Sequence, residues 1–253
     1  MRGALVVALL GFLGSAPAAA GGLRVCTTDW PPFTVSASGA VGGVHAEVTR
    51  EAFRRLGHAV EIESVAWERC WAELPKGTYQ AVFSASYRDE RAAVGLYPSV
   101  PLQSLSYVAV VRRGEGADWD GTDPARLPLP LAAPRGYSIV EDLRRRGMAV
   151  DDGAMKDAQN VEKLLAGRIG TAVIEKSVAA VLIRDMGVGD RIEILDRPVG
   201  PPKDYFLVLG RKVGGTEAAA RALARRLDAV LADIAREGMA ERLLADQGLG
   251  GGR

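Results

Sequence analysis

The feature that most constrains this chain is a break. Gly114 to Pro128, GEGADWDGTDPARLP, is rich in Gly, Asp and Pro and separates two series in which strand-like and helix-like stretches alternate. Alternation of that kind builds parallel sheets covered by helices, so the chain reads as α/β with two units. In the first series, Leu23 to Thr27 is a short strand closed by the Trp30-Pro31-Pro32-Phe33 turn, because two prolines remove ladder donors. After the Gly39 to Gly43 loop, Val44, Val48, Ala52, Phe53 and Leu56 fall at helical spacing up to Gly57. Ala59 to Val65 alternates as a strand. Trp67, Cys70, Trp71 and Leu74 then mark one face of a short helix, and Leu105 to Val111 is expected to close the unit.

The second series predicts strands at Leu129 to Ala133 and Ile169 to Ile174, with helices at Ser138 to Arg146, Asp157 to Ala166 and Val178 to Met186. Ile192 to Leu195 and Tyr205 to Leu209 read as extended, and Thr216 to Gln247 as helical. Two α/β halves joined by two extended strands imply two lobes with a cleft between them. The expected division is lobe 1 over 23–112, lobe 2 over 113–204, a return to lobe 1 over 205–248 and a tail over 249–253.

The chemistry concentrates in Ala81 to Ser99, AVFSASYRDERAAVGLYPS. With period two, Val82, Ser84 and Ser86 share one strand face, and Arg88-Asp89-Glu90-Arg91 follows at the strand's carboxyl end. Ligands of open α/β sheets sit outside those ends. Hydroxyls beside a guanidinium suit a carboxylate, although four charges in a row also suit a solvated turn.

Residues 1–22 read as an export signal, with Met1-Arg2, an apolar run from Ala4 to Leu13 and Ala18-Ala19-Ala20, or alternatively Ala16-Pro17-Ala18, as the small-residue cleavage site. The formal charge of +1 loses Arg2 with that signal, so nothing in the net charge favours nucleic acid. Export across the inner membrane places the chain in the periplasm, where the even pair Cys26 and Cys70 admits either a disulfide or two buried thiols. His45 and His58 have no HExxH context or cysteine partners, which argues against metal, and an aromatic-proline turn replaces the glycine-rich turn of a dinucleotide site. No cofactor is expected, and the chain is read as a monomer.

In order along the chain, LRVCTTDWPPF, GGVHAEVTREAFRRLG, AWERCWAELPKGTYQAVFSASYRDER, LYPS, PRGYS and LLAGRIGTAVIEKSVA resemble the family 3 extracellular solute-binding proteins, the amino-acid-binding components of bacterial ABC importers. The resemblance implies a two-lobed periplasmic binding protein fold of type II, hinged by two crossing strands. It also implies that Arg91 holds a ligand α-carboxylate with help from Ser84 and Ser86, that Trp30 packs on the ligand, and that the turn before Ser138 and the acid Glu175 contribute from the second lobe, Glu175 meeting the α-ammonium. Trp67 joins the ligand-binding candidates, with Trp30 and Trp67 equally readable as packing aromatics. Gln80 and Gly170 replace aspartates usual in the family, and Arg88 replaces a usual threonine. The implied function is capture of a polar amino acid or similar zwitterion and delivery to an ABC permease. The alternatives are a cyclohexadienyl dehydratase-like enzyme with Glu175 as its acid or base, and the ligand-binding subunit of a membrane receptor.

Overall fold

The computed structural model describes residues 22–249, so the export signal expected over 1–22 lies outside the described residues apart from Gly22, as does the tail from 250 onward. The first lobe begins with β1 (Leu23–Thr27), a hairpin of β2 (Val35–Ala37) and β3 (Ala40–Gly42), and α1 (Val44–Arg55). It continues through β4 (Val60–Ser64), α2 (Trp67–Glu73), β5 (Ala81–Ser86), α3 (Asp89–Val94), β6 (Gly95–Leu96) and β7 (Gln103–Leu105). The second lobe holds β8 (Tyr107–Arg112), β9 (Leu131–Ala132), α4 (Ser138–Arg145), β10 (Val150–Asp151), α5 (Asp157–Leu165), β11 (Thr171–Glu175), α6 (Lys176–Met186) and β12 (Ile192–Pro198). The chain returns through β13 (Lys203–Gly210) and ends in α7 (Glu217–Arg236) and α8 (Met239–Asp246).

Two sheets result. The first has strand order β4-β1-β5-β13-β6, with β7 also on β13; β1 lies parallel to β4 and β5, and β13 runs antiparallel. The second has order β10-β9-β11-β8-β12, with β8 antiparallel to both neighbours. The apolar face of α1 is buried through Val44, Val48, Ala52 and Phe53, as the spacing predicts, and α1 packs on α7 and α8. Its start demands glycine. Gly43 has φ 97°, and a Cβ there would stand 2.7 Å from the Phe33 carbonyl oxygen.

Two sequence expectations change. Leu105 to Val111 is not one strand closing the first unit: it divides at Ser106, leaving β7 in the first sheet and placing β8 in the middle of the second. Periodicity shows that such a run is buried but not which sheet buries it. The terminal helix likewise breaks at Gly238, whose left-handed backbone starts α8 in a new direction. The chain thus crosses between sheets twice, at Ser106 and between Pro198 and Lys203, and the crossings are tied where the Val199 amide donates to the Tyr107 carbonyl at 2.8 Å.

Candidate functional site

β5 carries the first part of the site, and its geometry is not a plain pleat. Phe83 and Ser84 together oppose the single Leu207 of β13, a bulge in which Ser84 takes φ 60°. A serine in the left-handed region is uncommon, and bulges re-aim side chains next to binding sites. Strict alternation therefore fails between Ser84 and Ser86, yet both line the same cavity. The Ser84 Oγ lies 3.0 Å from His45 Nδ1. Burial pushes that imidazole down to about 3, so His45 is a neutral support behind the wall.

Arg91 occupies the first turn of α3 and is 8% exposed. Its Nη1 donates to the Ser86 carbonyl at 3.0 Å and to the Ser86 Oγ at 3.2 Å, while Nη2 donates to the Gly136 carbonyl of the second lobe at 2.9 Å. The guanidinium lies 5.1 Å from the ring centroids of both Trp67 and Trp71. No carboxylate pairs with it among the described residues, and burial pulls its pKa below the ordinary value. It remains charged, because arginine stays protonated even when buried. Arg88 turns instead to Glu90 at 3.3 Å, on the exposed side of the turn.

The opposite wall comes from the second lobe. The Ser86 hydroxyl donates to the Ser138 hydroxyl across the cleft at 2.9 Å. Tyr107 of β8 and Tyr205 of β13, one from each crossing strand, bring their hydroxyls to 2.6 Å. Trp30 is buried against Phe33 and Tyr205 and meets Tyr137 edge-on at 6.3 Å. Together Thr28, Trp30, Trp67, Ser84, Ser86, Arg91, Tyr107, Tyr137, Ser138 and Tyr205 line a half-open cavity of about 30 Å³. That is room for about two water molecules, so the lobes are in direct contact.

Glu175 stands apart from this lining. It ends β11 and caps α6, its Oε2 accepting from the Ser177 amide at 2.7 Å and the Val178 amide at 2.9 Å. Burial raises its carboxyl to about 7, with the Asp157 carboxyl adding to the rise. Its charge in turn reaches the Tyr205 phenol on the cavity wall.

Of the expected site residues, the structure brings Arg91, Ser84, Ser86, Trp30, Trp67 and Ser138 to one cavity, with Glu175 just behind it. Sequence reading missed Thr28, Tyr107, Tyr205, Trp71 and Asp157 in that setting. Trp71 had a signal, since it sits one turn from Trp67. Cys26 and Cys70 are joined in a disulfide that ties α2, with its two tryptophans, to β1.

The chain belongs to the bacterial extracellular solute-binding proteins, family 3, whose sequence pattern matches residues 23–246. No curated protein matches it significantly. Among solved structures, it is similar to a histidine kinase sensor domain with similarity to periplasmic binding proteins, at 20% identity and TM-score 0.71, covering 89% of this chain and 95% of that one. A structure reported for glutathione import via GshT and the cystine ABC importer TcyBC of Streptococcus mutans gives 22% identity and TM-score 0.71, covering 91% and 95%. The amino acid ABC transporter substrate-binding protein AbpA of Streptococcus pneumoniae, bound to L-arginine, gives 18% and 0.70, covering 89% and 94%. At these identities the likeness establishes the fold, the two-lobed type II architecture.

Proposed function

We propose that this protein captures a free amino acid in the periplasm by closing its lobes around it, and passes it to an ABC permease. The observation that carries the reading is Arg91: a cation more than nine-tenths buried, held by carbonyls and set against two indoles, with no acidic partner among the described residues. Such a group is poised for an anion, and a carboxylate fits its fork in bidentate fashion. Ser84, Ser86 and Ser138 supply hydroxyls beside it, Trp30 and Trp67 supply the apolar walls, and Glu175, buried just behind the wall in the other lobe, supplies the negative charge that draws the α-ammonium. Opposite charges on opposite lobes make one zwitterion a bridge that favours closure, since a ligand shifts such an equilibrium only by contacts made in the closed form.

The test is calorimetry of the mature protein against the common amino acids and small organic acids. A ligand should bind, and Arg91→Ala should abolish that binding. Failure of the whole panel would sink the proposal.

The similarity to a kinase sensor domain favours one second reading, in which the same capture signals to a membrane receptor. Capture of crosslinked membrane partners in the presence of ligand separates the two: an importer recovers a permease, a sensor recovers a kinase.

A further inference from the structure

Behind the aromatic wall of the cavity lies a second buried acid besides Glu175, one more than a neutral amino acid needs. Asp157, the first residue of α5, is 5% exposed, and its Oδ1 has no hydrogen-bond partner. The end of the helix does not need it: the Gln159 side chain accepts from the Met155 and Lys156 amides, and the Asp157 carboxyl accepts from neither. A buried carboxyl without a partner is costly, so it calls for an explanation.

Its neighbours are the walls of the site. Its charge reaches Tyr107, Tyr137 and Tyr205, all three lining the cavity, and Glu175 behind them. The Trp30 indole N–H is turned toward it without completing a hydrogen bond and has no other partner. One turn further along the same helix face, Asn160 is fully buried with both amide atoms unpartnered. Among the described residues, no basic side chain compensates Asp157 or Glu175.

We propose that Asp157 is a specificity-determining residue of this site, selecting amino acids that carry a second cationic group beyond the α-ammonium. The inference rests on the amino-acid reading given above. A zwitterion places its carboxylate on Arg91 and its ammonium at Glu175, and it leaves Asp157 and Asn160 facing nothing. A ligand of net charge +1 brings a second cation, which pairs with Asp157. Ligand charge then balances site charge, one cation against one anion and two anions against two cations.

Titration calorimetry at pH 7.5 with L-arginine, L-lysine and L-ornithine, set against L-glutamine, L-alanine and L-glutamate, tests this on the wild type and on Asp157→Asn. The wild type should bind a cationic member at least about 10-fold more tightly than glutamine, and the variant should lose at least about 10-fold of that preference, the scale of one desolvated charge pair. Neutral ligands should bind the variant as well as the wild type or better. A wild type that prefers neutral or acidic members overturns the proposal while leaving amino-acid capture intact, and that ranking holds whether or not the variant folds. An unchanged preference in a folded variant also overturns it. A wild type that binds none of the panel overturns the amino-acid reading, and this inference with it.

Discussion

The Arg91 guanidinium reaches across the cleft to the Gly136 carbonyl at 2.9 Å, so the cation of one lobe rests on the backbone of the other. Closure therefore depends on how the second lobe presents that carbonyl. Gly136 has φ 78°, and its α-carbon faces Trp67 and Glu68 of the opposite lobe. A β-branched residue there meets a left-handed backbone that costs about 1–2 kcal/mol for an ordinary side chain. Gly136→Val should lower the melting temperature and weaken ligand binding at least about 5-fold, the scale of a 1 kcal/mol penalty on the closed form. Equal affinity in calorimetry would show that the turn does not set closure.

The acid pair predicts opposite pH trends for the free and liganded protein. Glu175 rises from 4.5 to about 7 and Asp157 from 3.8 to about 7, burial being the main cause for each. A carboxyl with a raised folded-state pKa binds its proton more tightly when folded, so its stabilising effect is complete below the unfolded value and is lost as pH rises through the folded one. The ligand-free protein should thus melt highest near pH 4–5 and lose stability toward pH 7–8. Beyond Glu175 and Asp157 themselves, the groups facing the pair are Tyr107, Tyr137 and Tyr205, none of which ionises in that range. A ligand ammonium stabilises the charged carboxylates, so affinity should increase with pH up to about 7, approaching 10-fold per unit for one displaced proton. Thermal melts and calorimetry at matched pH values check both signs, and Glu175→Gln should flatten each profile.

The disulfide should matter for binding as well as stability. Cys26 and Cys70 are 44 residues apart in sequence, and closing a loop of that size is worth up to about 4 kcal/mol on chain-entropy grounds. Cys70 lies in α2 between Trp67 and Trp71, the two rings that flank Arg91. The double variant Cys26→Ser/Cys70→Ser should melt at least about 4 °C lower, the low end of the effect of about 2 kcal/mol in a chain of this size. Its affinity should fall too, because the indoles lose their anchor. Unchanged affinity in a destabilised variant would mean that the helix keeps its place without the bridge.

Much of the architecture was legible because burial periodicity is local. The Val44, Val48, Ala52 and Phe53 spacing found α1, and the hydroxyls before an arginine pair found the carboxyl end of β5. What stayed hidden depends on distant pairing. β8 reads as an apolar run whichever sheet it joins, and so Tyr107 gave no hint that it would meet Tyr205. The bulge at Ser84 is set by how β13 pairs with β5, and Asp157 looks like any acidic residue opening a helix until its buried neighbours are known.

Gly170 shows how a departure from the family pattern acquires a physical reason. The resemblance expects aspartate there, but a Cβ at Gly170 would lie 2.5 Å from the Pro128 carbonyl carbon and oxygen, and 2.7 Å from the Leu129 oxygen. All three atoms are backbone, so no flexible side chain can yield. The Gly170 amide also donates to the Pro130 carbonyl at 3.0 Å, which holds the segment before β9 close. Both Gly170→Ala and Gly170→Asp must push the Pro128–Pro130 segment away from β11, at a cost of about 1–3 kcal/mol by analogy with overpacking. The aspartate variant should be the worse, since its carboxylate enters among carbonyl oxygens. Ligand affinity of the folded fraction should change little, because Gly170 does not line the cavity. Melting temperatures within 1 °C of wild type for both variants would mean that the segment moves freely and that the glycine is not required.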